Sequence, residues 1–180
     1  MKRFNGTAVS KGFRAVLCGA SLLLVIPLLA PLPADAAPPQ EAAHKLSASA
    51  VQVVRTQSSA TLTIPEDFRV ATYEHVILEL EATKKFQKVY RDGDSRAESV
   101  PDLVIVTLVP ATFTAGSQKE REVTTVKGAT SIKINVRFTK KDGTVLLEQP
   151  IEGKVRFYGE NLAATKDFAK KVAKLAKDNF

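Results

Sequence analysis

Past Cys18 the chain contains no cysteine. A domain built from the remainder has no disulfide available and must be held by packing alone. Histidine is nearly as scarce, with only His44 and His75. A hydrolase of the serine or cysteine type needs a nucleophile, a base and an orienting group. Here there is no cysteine nucleophile and no G-x-S-x-G elbow, and of the two histidines His44 lies in the probable leader while His75 is set off the main apolar stripe of a predicted helix. A zinc site needs several His, Cys or carboxylate ligands at short spacing, and none is present. The 9 glycines are scattered and never form a phosphate-cradling pattern. Aromatic and basic residues do not interleave along one strand as single-strand binders require. The expectation is a protein that is not an enzyme, has no cofactor or metal, and takes no nucleic-acid partner.

The N-terminus reads as an export signal. Lys2, Arg3, Lys11 and Arg14 form a basic start, Ala15 to Ala30 is mostly apolar, and Ala34-Asp35-Ala36 supplies a small-x-small cleavage site. The run is shorter than the about 20 residues that span a bilayer, and Pro27, Pro31 and Pro33 interrupt or follow it. Residues 1–36 are therefore assigned to a signal peptide, with no transmembrane segment left after its removal. Leu17 precedes Cys18 where a lipidation site wants a small residue. Removing four basic residues and one acidic one from totals of 26 and 19 leaves a net charge of +4, which favours solubility more than a polyanion ligand.

Residues 37–59, rich in Ala, Ser and Pro, read as a leader, within which Val51 to Val54 offers a short first strand; Ala60 to Ile64 is the other candidate. Residues 60–180 read as one α+β domain. Thr63 and Glu66 have capping-box spacing around Pro65, and the helix they open runs to about Thr83. Val70, Tyr73, Val76, Ile77 and Leu80 form its apolar stripe. A strand from Lys85 to Arg91 ends at Asp92-Gly93-Asp94-Ser95. With Glu98 and Asp102 this is the one acidic cluster, but Arg96 stands where a third calcium ligand belongs and no closing glutamate follows, so it reads as a turn.

Asp102 to Pro110 is apolar at nearly every position, the mark of a central strand covered on both faces. Helices cover one face. For the other, either the segment from Val51 to Ile64 folds back or a second subunit or envelope partner packs there. Two alternating strands then flank Asp142-Gly143, read as a two-residue hairpin loop. That loop sets Phe138 against Leu147, Ile134 against Ile151 and Ile132 against Gly153 on an apolar face. Lys133 against Glu152 and Arg137 against Glu148 fall on a charged one. Pro150 should mark a bulge or an edge. Asn161 is placed to cap a closing helix whose Ala164, Phe168, Ala169, Val172, Leu175 and Ala176 are buried, while Lys166, Lys170, Lys174 and Lys177 line its other side.

The order of Phe86 to Val89, Asp102-Leu103, Gly116-Ser117 with Arg121, the Asp142-Gly143 turn, Gly153 and Gly159 resembles a family of exported bacterial proteins catalogued as domain of unknown function 4410. The resemblance spans about residues 60 to 178, with a shortened turn and the usual glycine-rich stretch reduced to Gly128. It implies export and fold, and carries no catalytic residues.

The reading is an α+β two-layer sandwich, a mainly antiparallel sheet of four or five strands with two helices on one face. It is secreted or periplasmic, and monomeric as a starting expectation. Its function is that of a non-catalytic cell-envelope binding or assembly module. The alternatives are a surface-binding protein using Lys166, Lys170, Lys174 and Lys177 on anionic lipid or polysaccharide, and a hydrolase using Glu148 and Glu152. Intact mass of the exported protein should correspond to a chain beginning at Ala37; recovery of the full-length chain from membranes would reverse the localisation.

Overall fold

The computed structural model describes residues 45–56, 62–124 and 127–180; the assigned signal peptide and His44 lie outside them. The elements in order are β1 (Ala50–Val53), α1 (Glu66–Thr83), β2 (Lys88–Arg91), a 3-10 turn (Ser95–Ser99), β3 (Leu103–Thr114), α2 (Gln118–Val123), β4 (Thr130–Lys140), β5 (Val145–Val155) and α3 (Ala163–Asn179). The strands form one sheet in the order β2-β1-β3-β4-β5. β1 pairs in parallel with β2 and β3, and β3-β4-β5 is antiparallel. The sandwich is as expected, and its long ladders are antiparallel. The sheet itself is mixed, because the short β1 has parallel neighbours on both sides.

β1 is the first strand, and it lies inside the stretch read as a leader. Val51 and Val53 are fully buried against the helix layer, and the backbone N–H of Leu46 donates to Asn179 O at 2.8 Å. The folded unit thus begins well before residue 60, with Leu46 and β1 already part of it. Val51 to Val54 is one of the two candidates for this strand, and the strand forms there, one residue earlier at each end.

The hairpin register is the one expected, reached by another route. Phe138 faces Leu147, Ile134 faces Ile151 and Ile132 faces Gly153. The loop, however, has three residues: Lys140 N–H donates to Thr144 O (2.9 Å), Gly143 N–H to Lys140 O (3.0 Å), and Gly143 has φ 86°. Thr139 then pairs with Val145, and an extra residue, Leu146, restores the pairing at Phe138 and Leu147. A three-residue turn plus one bulge equals a two-residue turn in register. Pro150 lies in β5, an edge strand, with no register shift beside it.

Both helices pack on one sheet face. α1 buries Phe68, Thr72, Tyr73, Val76, Ile77 and Leu80, while Val70 is half exposed. Its stripe is therefore shifted from the one expected. Pro65 is the N-cap and no side chain caps the helix, so the Thr63–Glu66 capping box does not form. α3 buries Ala164, Thr165, Phe168, Ala169, Val172, Ala173 and Ala176, with Leu175 partly buried. It lies so close to β5 that a Cβ on Gly153 would stand 2.2 Å from Ala164 O and 2.5 Å from Phe168 Cβ. Only glycine fits there.

The second face of β3 is covered at its start by the 3-10 turn, a cover that neither expectation named. Ala97 of the 3-10 turn packs on Leu103 and Ala50, with Tyr90, Val100 and Ile105 around them. Val109, farther along the same face, is 44 % exposed. The start of the candidate segment, in Ala50–Val53, joins the sheet instead of lying over it.

Candidate functional site

The loops that leave β3 and β5 are tied together by a buried arginine. Gly116 turns the chain where a Cβ would lie 2.3 Å from Gly128 O, and Ser117 Oγ accepts from Glu120 N–H (3.3 Å) to start α2. One turn on, Arg121 is 3 % exposed. Its Nη1 donates to Gly128 O (2.6 Å) and Thr130 Oγ1 (3.3 Å), and its Nη2 to Gly159 O (2.7 Å) and Asn161 Oδ1 (2.9 Å). Thr130 Oγ1 donates to the same Asn161 oxygen (3.0 Å), and Asn161 Nδ2 donates to Gly116 O (3.3 Å). Asn161 is therefore not the helix cap expected of it; Leu162 holds that position with no side-chain cap.

All of Arg121's partners are neutral oxygens. A buried cation without a counter-charge is costly unless its N–H groups are satisfied. Here three hydrogen bonds to loop oxygens and one to Thr130 at the start of β4 do that, and of its nitrogens Nε alone is buried without a partner. The guanidinium fork spans two loops at once, which a point ammonium does poorly. It fixes the turn that presents Phe157 and Tyr158, 55 % and 83 % exposed, with Gly159 at φ 116° closing it. The Gly-Ser turn followed by Arg121 was visible in sequence; its role and the aromatic pair were not. Tyr158 ended a predicted strand, and nothing in an alternating pattern says that its last residues overhang.

The lysine side of α3 is present. Lys166, Lys170, Lys174 and Lys177 are all exposed, though Lys174 Nζ donates to Asp178 (2.8 Å), which holds that carboxyl below its ordinary range. Glu148 is held by a fork from Arg137 (3.1 and 3.0 Å). Glu152 sits opposite Lys133 in register, but its ion pair is with Lys154 (3.8 Å). Neither glutamate is shaped for acid or base work.

His75 Nδ1 lies 2.8 Å from Thr165 Oγ1, whose one proton goes to Leu162 O (2.7 Å). The histidine must then be the donor, and it clasps α1 to α3. Asp94 is used as a cap and a fork acceptor for Arg96 (3.1, 2.9 and 2.7 Å), which lowers its pKa. Among the described residues no group of three or more His, Cys, Asp or Glu could hold a metal ion, and no helix is long and apolar enough to cross a membrane.

No protein-family model matches the chain, and no curated protein matches it by sequence. Solved structures do match. A PelC dodecamer from Paraburkholderia phytofirmans aligns at TM-score 0.52 and 11 % identity, over 73 % of this chain and 88 % of that one. The fold is similar to that of PelC. A second PelC dodecamer from the same organism, a variant, aligns at 0.51 and 12 %, over 74 % and 90 %. A Xanthomonas campestris protein of the DUF330 family model aligns at 0.45 and 11 %, over 73 % and 81 %, too distantly to carry an argument. Identities this low show a shared fold alone. The motif resemblance to domain of unknown function 4410 gains no family match.

Replacing Arg121 with Met leaves the oxygens of Gly128, Gly159 and Asn161 without their donor. The variant should lose about 3 kcal/mol of stability in urea unfolding, with Arg121→Lys recovering only part of it. A loss below about 1 kcal/mol would show that water replaces the guanidinium at little cost.

Proposed function

We propose that this protein is a non-catalytic binding or assembly module of the cell envelope, exported by the signal read at residues 1–36. The observation that carries the proposal is the Phe157–Tyr158 tip. Two adjacent aromatic residues more than half exposed contribute nothing to the core, yet the turn bearing them is fixed by a buried arginine. Large, rigid aromatic side chains bind with little entropy to lose and are enriched where partners dock. The PelC structures of similar fold are dodecamers, which supports a role in assembly, and the family resemblance supports export. The occupant of the tip is an envelope protein or a further copy of the chain.

Phe157→Ser combined with Tyr158→Ser should leave the melting transition nearly unchanged, since neither side chain is in the core. Light scattering of the purified protein tests for further copies, and cross-linking in intact cells tests for an envelope protein. Wild type should assemble in one of these and the double variant in neither. If wild type and variant behave alike in both, the tip does not dock.

A second reading rests on the exposed lysines of α3, which would contact anionic lipid or polysaccharide. Each lysine close to an anionic membrane is worth about 1 kcal/mol, and that gain fades with salt. Lys170→Glu with Lys174→Glu should weaken binding to anionic-lipid vesicles at low salt at least tenfold. Equal binding by wild type and variant would leave the lysines as a solvated helix face.

A further inference from the structure

A second site lies where the parallel half of the sheet ends. β1 and β2 finish side by side, Val53 opposite Arg91, and the chain leaves them as Arg55 and Thr56 on one strand and Asp92 on the other. The first half of α1 forms the facing wall with Arg69, Val70, Tyr73 and Glu74, and the enclosed cleft has a volume of about 540 Å³. That is within the range of small-ligand pockets. The crevice outside the carboxyl ends of parallel strands is also where open α/β sheets take their ligands.

Most charges in the cleft are already matched. Arg91 donates to both oxygens of Glu74 (2.5 and 2.8 Å), holding that carboxyl below the usual range. Arg69 pairs with Glu66. Asp92 Oδ2 accepts from Arg55 N–H (3.4 Å), and Asp92 N–H donates to Tyr73 Oη (2.8 Å). Two donors remain. The Arg55 guanidinium lies 5.9 Å from the Tyr73 ring centroid and acts on the Glu74 carboxylate only at longer range, since that carboxylate's hydrogen bonds are taken by Arg91. Thr56, 7 % exposed, lines the cleft with its Oγ1 buried and unpartnered. A buried hydroxyl without a partner is unusual and calls for an explanation.

We propose that the cleft binds the carboxylate or phosphate group of a small ligand. Arg55 presents its planar fork to two of the oxygens, and Thr56 Oγ1 donates to one of them. Arg55 can only donate, the Glu74 and Glu66 carboxylates are taken by Arg91 and Arg69, and the Thr56 hydroxyl can serve as a second donor, so the ligand is an acceptor. This site is separate from the tip formed after β5.

The test is a nuclear magnetic resonance titration of the ¹⁵N-labelled protein at constant ionic strength, with inorganic phosphate and with acetate as probes. Saturable shifts centred on the amides of Arg55, Thr56 and Asp92, from either probe, support the site. The preferred probe identifies the oxyanion. Arg55→Gln should weaken the apparent Kd at least tenfold, and the isosteric Thr56→Val at least threefold, while Lys133→Gln, at an exposed position on β4, should leave it unchanged. Arg55 is exposed, so its variant should keep the folded spectrum. Shifts that drift without saturating, or that survive both cleft variants, would overturn the proposal. Neither result bears on the assembly of the tip, which is read by mass and cross-linking.

Discussion

The sheet depends on Leu103 to Val106, the four residues of β3 that are paired on one side with β1 in parallel, and from Val104 onward with β4 in antiparallel sense. A strand bonded on both edges and covered on both faces can carry few polar side chains, which is why this stretch is apolar at every position. Val104, Val106 and Leu108 face the helices, and Leu103 meets Ala97. Past Val106 the constraint relaxes. No described strand pairs with the β1 side of Thr107 to Thr114. Pro110, which has no N–H to donate, and the register shift after it fall in that stretch, where an interrupted edge does least harm.

What was legible in the sequence follows from how local each signal is. The β4–β5 register came from turn chemistry and a two-residue period, both contained within 28 residues. It survived a misread loop because the bulge at Leu146 compensates a three-residue turn. A one-residue error without compensation would have turned Phe138 and Ile134 to solvent, and burial forbids that. β1 was legible only as one of two short candidates because its stability is almost wholly tertiary, with two valines under α1 and neighbours on both sides. The two helix caps failed for a related reason. Pro65 takes the N-cap position itself, and Asn161 is spent on Arg121, a partner 40 residues away that no local pattern reveals.

Arg121 shows how a locally unfavourable choice can be held by its surroundings. A methionine in its place would carry no desolvation cost, but it could not reach the oxygens of Gly128 and Gly159 together. The guanidinium is thus a cross-brace between two loops that share no backbone ladder. Removing its charge without removing the acceptors leaves buried oxygens unmatched, so the brace is worth more than any one of its hydrogen bonds. The cleft contrasts with this. There two arginine–carboxylate pairs, Arg91 with Glu74 and Arg69 with Glu66, lie on a partly open surface, and such pairs contribute little to stability; their physical consequence is to hold Arg91 and the first turns of α1 around a space.

Strand direction places these features relative to one another. β1, β2, β3 and β5 all run one way and β4 alone runs back, as the two parallel and two antiparallel pairings require. The cleft after β1 and β2, α2 after β3, and the aromatic turn after β5 therefore belong to the same end of the sheet. The opposite end carries the 141–143 turn, whose Lys141 Nζ donates to Glu98 O (2.6 Å) of the 3-10 turn. The two halves do not end level, because β3 continues eight residues past Val106, roughly 25 Å at strand rise. The cleft is therefore set back beside α1 while the Phe157–Tyr158 turn projects with the long strands. A partner seated on that turn would leave the cleft open to small molecules, and the two surfaces can act at once.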